Sequence, residues 1–170
     1  MVEALSLDAV LRERELRAVV RECASSVAII TVAWEGIQHG MTATSFTTVS
    51  FRPPIILVCL HRLSRTHSFT KASTYFAINF LTEDQFQWSD RFAGRQPESD
   101  DRFAGIQLVT GVTGAPIFAN CLAWLECRVT ALHAAGDHTI FVADVVAGNI
   151  GTSERPLIYY RGCYRSISTK

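Results

Sequence analysis

The chain has 170 residues, with 16 basic and 16 acidic side chains, a formal net charge of zero, 48% hydrophobic and 19% charged residues. This composition excludes a disordered polymer, and a single domain over residues 1–170, burying roughly 70% of its unfolded surface, is expected. With no overall cationic field, binding to nucleic acid or to an anionic membrane surface is not expected as a general mode.

The first predicted element is a helix over Leu7 to Cys23. Leu7, Val10, Leu11, Leu16, Val19, Val20 and Cys23 fall mostly three and four positions apart, with Glu, Arg and Asp between them. Ser6 would cap it and Asp8 would face the free amides of its first turn. The expected role is a packing helix with a charged outer face. Its alternation of charge and Leu is unlike a signal peptide, and no apolar run reaches the length of a bilayer span.

From Ser26 the pattern becomes that of strands, and a barrel over about 26–165 is expected. Val27 to Trp34 is β-branched and apolar, and Glu35-Gly36 turns it. Met41 to Ser50 is dense in small hydroxyls, Pro53-Pro54 interrupts the chain, and Ile55 to Leu60 is a short apolar strand. Ser68 to Ala72 suits a short helix, Tyr75 to Leu81 a strand, and Thr82 to about Asp90 a helix capped by Thr82. Asp-Arg-Phe-Ala-Gly occurs twice, at Asp90 and at Asp101, which predicts a polar excursion anchored by Phe92 and Phe103. Leu122 to Val129, then Thr139 to Ile150 beyond a Gly136-Asp137 turn, and finally Leu157 to Tyr160 complete the strands.

One N-terminal helix, many short strands and Gly- or Pro-marked turns predict an antiparallel barrel with peripheral helices. Neither a dinucleotide-binding GxGxxG nor a Walker loop is present. Five dispersed cysteines, Cys23, Cys59, Cys121, Cys127 and Cys163, include no CxxC pair and read as reduced thiols of a soluble cytoplasmic protein.

Three segments can carry chemistry. In the first, Thr42, Thr44, Ser45, Thr47, Thr48 and Ser50 put six hydroxyls into nine positions. They suit a flat, polar-edged ligand, and equally a strand chosen for β propensity. His61-Arg62-Leu63-Ser64-Arg65-Thr66-His67-Ser68 is a local cationic loop ahead of a helix, suited to a small-molecule phosphate or to a solvated turn. The third is Gly136-Asp137-His138, whose histidine sits beside a turn, on plain surface or at a pocket mouth. No metal site is expected from His61 and His67, because no Cys or acid has usable spacing. No strand–Ser–helix nucleophile elbow occurs, so an enzyme built on this chain would leave the chemistry to a cofactor.

The ordered set Gly40-Met41-Thr42-Ala43-Thr44-Ser45-Phe46-Thr47-Thr48-Val49-Ser50, Pro53-Pro54, Ser64-Arg65-Thr66, Phe76 to Leu81, Arg102-Phe103, Gly136-Asp137-His138 and Pro156-Leu157-Ile158-Tyr159-Tyr160-Arg161-Gly162 resembles the flavin reductase family that serves two-component monooxygenases. The resemblance covers about residues 15–165. It implies a homodimeric, Greek-key-like split β-barrel that binds FMN or FAD and reduces it with NADH or NADPH for a separate monooxygenase component. It implies that Met41, Thr42, Ala43, Thr44, Ser45, Thr47 and Thr48 line the flavin ring and ribityl chain. Ser64, Arg65 and Thr66 would hold its phosphate, Asn79 would touch it by side chain or backbone, and Tyr160 would have a smaller part. His138 would position the nicotinamide without acting as a nucleophile. The rival is a flavin-binding split barrel without free-flavin turnover, such as an FMN carrier.

Overall fold

A computed structural model describes residues 7–96, 101–152 and 155–167 of the protein. It begins with α1 (Leu7–Arg21), β1 (Ser25–Ser26), β2 (Ala28–Trp34), β3 (Ile37–Ala43), β4 (Phe46–Phe51) and β5 (Pro54–His61). Next come α2 (Arg65–Ser73), β6 (Tyr75–Phe80), a 3₁₀ turn at Glu83–Gln85, α3 (Phe86–Phe92), β7 (Leu108–Thr110) and β8 (Pro116–Phe118). The chain ends with β9 (Ala123–Ala135), β10 (His138–Ile150), β11 (Ile158–Tyr160) and β12 (Cys163–Arg165).

The main sheet has seven antiparallel strands in the order β3-β2-β6-β9-β10-β5-β4. Its two edge strands, β3 and β4, are consecutive in sequence and joined only by Thr44 and Ser45. A link that short spans at most roughly 11 Å, so the sheet must curl until its edges nearly meet. The Ser45 carbonyl accepts the Cys59 amide at 2.9 Å, but no ladder pairs β3 with β4. The result is a barrel split along one seam, as expected from the sequence.

The continuous apolar run at the start of β2 reflects burial on both faces. Ala28 and Ile30 point into the barrel with Val58, Leu60, Phe76, Ile78 and Phe141. Val27 and Ile29 face a second core made with Phe92, Phe103, Phe118 and Leu157. Each such side chain contributes about 1.5–3 kcal/mol on burial, so the strand is fixed from both sides. The duplicated Phe92 and Phe103 are the anchors expected of them, with ring centroids 5.1 Å apart. Gly40 admits Phe92 against β3, because a side-chain carbon there would lie 3.0 Å from its ring.

Several expectations are corrected. Helix α1 ends at Arg21 rather than Cys23, and Leu16, Val19 and Val20 are all more than half exposed, so it is not packed on its own barrel. Helix α2 starts three residues earlier than expected, because Ser64 caps it by accepting the His67 amide. The β7–β8 hairpin and the β12 strand were not anticipated. Ser6, expected as a cap, and residues 97–100 of the polar excursion lie outside the described residues.

Candidate active site at the barrel split

The seam is where the chemistry-bearing segments meet. Thr42, Ala43 and Thr44 line a cleft of about 180 Å³ together with Val27, Arg95, Tyr159 and Tyr164. The next residue, Ser45, borders a second cleft of about 660 Å³, shared with Asp137, His138, Leu16 and Val20. The larger cleft is within the usual range of small-molecule sites, about 300–1,000 Å³.

The cationic loop is tied into the same region. In the β5–β10 ladder His61 stands opposite His138. The Arg62 amide donates to the Asp137 carbonyl at 2.9 Å, and its guanidinium donates to the Gly136 carbonyl. From there α2 crosses to β3, where the Thr66 hydroxyl lies 2.8 Å from His39 Nδ1. Burial, and then the charges of Arg65 and Arg102, lower the His39 pKa to about 4. His39 therefore stays neutral and does not compete with Arg65 for an anion.

Many of the polar side chains singled out from sequence are spent on the scaffold. Thr42 Oγ1 donates to the Ser89 carbonyl at 2.6 Å, Ser64 caps α2, and Thr66 is fully buried against His39. Asn79 is also fully buried: its Nδ2 donates to the Ile29 carbonyl at 3.2 Å and to Thr31 Oγ1 at 3.0 Å, while its Oδ1 accepts the Phe118 amide at 2.8 Å. Met41 packs against the barrel core. The C-terminal hairpin turns Tyr159 and Tyr164 to the smaller cleft, whereas Tyr160 carries the Arg161 guanidinium 5.3 Å above its ring.

Other donors are unspent. Thr44, Ser45, Thr47 and Thr48 are exposed, and their hydroxyls have no hydrogen-bond partner among the described residues. Arg65 makes neither an ion pair nor a hydrogen bond among the described residues, and its guanidinium rests 5.8 Å from the Phe69 ring. Helix α2 has no acid in its first turn. Free hydroxyls beside a seam, with an uncommitted guanidinium at a helix N-terminus nearby, fit a phosphate-bearing ligand with a polar ring edge and chain. Among the described residues no cluster of His, Cys, Asp or Glu could hold a metal ion.

Sequence reasoning missed Arg95, Tyr159, Tyr164 and Ser89. Tyr159 and Tyr160 are adjacent on a strand, so a one-residue choice of phase decides which faces the cleft. Arg95 was assigned to the polar excursion; it stacks over the Tyr159 and Tyr164 rings at 5.6 and 5.9 Å and pairs with Asp90 at 3.0 Å.

A split antiparallel barrel with peripheral helices is an architecture that this chain shares with solved flavin reductases. The flavin reductase like domain matches residues 20–168, and the chain belongs to that family. It is 40% identical to the reductase component of the 4-nitrophenol 4-monooxygenase/4-nitrocatechol 2-monooxygenase of Rhodococcus opacus over 152 residues, 89% of this chain and 80% of that one. Component B of a nitrilotriacetate monooxygenase from Mycobacterium thermoresistibile superimposes with a TM-score of 0.87 at 35% identity, over 94% of this chain and 88% of that one. The NADH:FAD oxidoreductase SgcE6 of Streptomyces globisporus, in complex with NAD and FAD fragments, gives 0.85 at 30% identity over 98% of both chains.

Proposed function

We propose that the chain is an NAD(P)H-dependent flavin reductase that binds FMN or FAD at the seam and supplies reduced flavin to a separate monooxygenase component. The observation that carries this reading is the pairing of unspent hydroxyls at Thr44 to Thr48 with the uncommitted Arg65 guanidinium beside the α2 N-terminus. When bound, flavin would supply the redox chemistry as a hydride acceptor, with Arg65 and the hydroxyls of Thr44, Ser45, Thr47 and Thr48 holding it.

The chain's own part is to bind and orient. Arg65 and the first amides of α2 hold the phosphate, and the hydroxyls of Thr44, Ser45, Thr47 and Thr48 meet the polar edge and chain of the ligand. Backbone amides of the seam are fixed donors for negative charge. His138, at the mouth of the larger cleft, positions the nicotinamide, and no protein nucleophile is required. The Asn79 side chain serves this site only by holding β8 against β6. Relatives that are reductase components of monooxygenases support the handover to a partner oxygenase.

A second copy of the chain is the natural cover for α1. Leu16 and Val20 border the larger cleft and remain 63% and 56% exposed, so a homodimer would bury them while enclosing His138. The five free thiols suit a reducing cytoplasmic setting; no helix among the described residues is long and apolar enough to cross a membrane.

The test is anaerobic mixing of the protein with FMN or FAD and NADH, following the flavin and nicotinamide absorption bands. Catalytic loss of both bands is expected. A tightly bound flavin that NADH leaves oxidised would replace this reading with that of a flavin carrier. Sedimentation equilibrium reports the dimer.

A further inference from the structure

His138 has a carboxylate partner beside it on the same turn. Its Nδ1 lies 2.6 Å from Asp137 Oδ1. The other carboxylate oxygen, Oδ2, is 3.6 Å from Nε2 of His61, which stands opposite His138 in the β5–β10 ladder. His61 Nδ1 accepts the Leu63 amide at 3.2 Å, so the neutral ring carries its proton on Nε2, the nitrogen that faces Asp137. The two imidazoles meet edge to face, with centroids 5.2 Å apart, and this limits how far either can rotate. The turn is itself fixed to the loop, because the Arg62 side chain and amide both bond its carbonyls.

A relay of orientation results. The Leu63 amide sets His61, His61 sits against one oxygen of Asp137, and the other oxygen takes the Nδ1 proton of His138. Among the described residues, Nε2 of His138 has no protein partner, and this ring borders the larger cleft. A histidine in water favours the opposite tautomer, with the proton on Nε2, so an acceptor at Nδ1 changes what the ring presents to a ligand.

We propose that Asp137, backed by His61, is a positioning residue that holds His138 as the Nδ1–H tautomer and keeps Nε2 turned to the nicotinamide-binding cleft as an acceptor. This rests on the nicotinamide reading of the cleft given above. The hydrogen bond from His138 acts back on Asp137 and holds its carboxyl below the usual carboxylate range, which keeps it an ionised acceptor. Its exposure limits the strength of the arrangement, so its effect is one of orientation rather than affinity in bulk.

Nitrogen-15 NMR of the histidine side chains in the flavin-free protein tests the tautomer directly, without any turnover. The wild type should show His138 protonated at Nδ1 and bare at Nε2 when neutral. Asp137→Ala should move the proton to Nε2. Asp137→Asn, which keeps an acceptor oxygen, should retain the wild-type pattern. Steady-state kinetics give the second readout: Asp137→Ala should raise the KM for NADH roughly three- to tenfold with the flavin Kd unchanged, and Asp137→Asn should recover most of the loss. An Nε2–H tautomer in the wild type, or an Asp137→Ala variant with unchanged tautomer and unchanged KM, would overturn the proposal. A protein in which His138→Ala raises the KM but Asp137→Ala does not keeps the nicotinamide reading and loses this one. If His138→Ala leaves the NADH dependence untouched, the nicotinamide reading itself fails, and the proposed role of Asp137 fails with it.

Discussion

The hydroxyl of Thr42 donates to the carbonyl of Ser89 at 2.6 Å and so fastens the seam to α3. The link continues outward. Tyr164 Oη lies 2.7 Å from Asp90 Oδ1 and 2.9 Å from Ser89 Oγ. Its single proton belongs to the carboxylate, so the Ser89 hydroxyl donates to it. One chain of hydrogen bonds thus runs from the edge of the barrel to the C-terminal hairpin. Thr42→Val keeps the shape and removes the donor. It should cost about 1 kcal/mol of stability and weaken flavin binding severalfold, read by denaturant midpoint and flavin fluorescence titration. Tyr164→Phe should act in the same direction.

Arg65 makes no ion pair or hydrogen bond among the described residues, so on the proposed reading its removal should weaken a phosphate-bearing flavin selectively. Arg65→Ala should weaken FMN about tenfold, the scale of one charge-assisted hydrogen bond, and leave riboflavin nearly unchanged. Titration of both ligands checks it. Equal losses would take the phosphate away from this loop.

Glu126 is fully buried and acts as an internal anchor for the loop before β8. Its carboxylate accepts the amides of Val112 and Thr113 at 3.0 and 2.7 Å and the Thr113 hydroxyl at 2.6 Å. Gly111 leaves room for it, since any side-chain carbon at that position would collide with the carboxylate. Gly111→Ala and Glu126→Ala should each cost about 2–4 kcal/mol, one by collision and the other by orphaning two amides. Limited proteolysis should then cut the 111–115 loop in both variants and spare the wild type.

His39 makes the fold sensitive to acid. Its pKa falls from the ordinary 6.5 to about 4 on folding, mainly through burial, so the unfolded chain binds a proton that the folded one refuses. Stability is therefore complete above pH 6.5 and is lost as pH falls from there towards 4. The loss from this ring should be about 1–2 kcal/mol, reduced from the full linkage value because the ring is only partly buried. His67 is shifted the same way, again mainly by burial. Urea midpoints measured across this range should depend less on pH in His39→Gln, and less again when His67→Gln is added.

The barrel was legible because period and punctuation agree over most of it. The apolar run of β2, the Gly136-Asp137 turn between β9 and β10, and the paired phenylalanines all stand where the pattern put them. The seam was legible as a dense run of hydroxyls, but the share each would give to the scaffold was not. Thr42 and Thr66 find partners more than twenty positions away, at Ser89 and His39, and a local pattern carries no record of such pairings. Asn79 stood as a ligand contact, by side chain or backbone, on the family resemblance alone. Its amide instead holds the unanticipated β8 through Phe118. The stripe on α1 was legible as apolar, yet Leu16, Val19 and Val20 are more than half exposed, since periodicity marks an apolar face and not what covers it.

The two-residue link between β3 and β4 has a consequence for ligand exchange. Thr44 borders one cleft and Ser45 the other, so a molecule seated on either side bears on the same short piece of backbone. Two occupants that share a support are coupled to the extent that each changes its conformation. Filling one cleft should change the affinity of the other by some factor, and thermodynamic reciprocity requires the same factor in the opposite direction. The link that joins the two edges of the barrel is thus also the place where two ligands would feel one another.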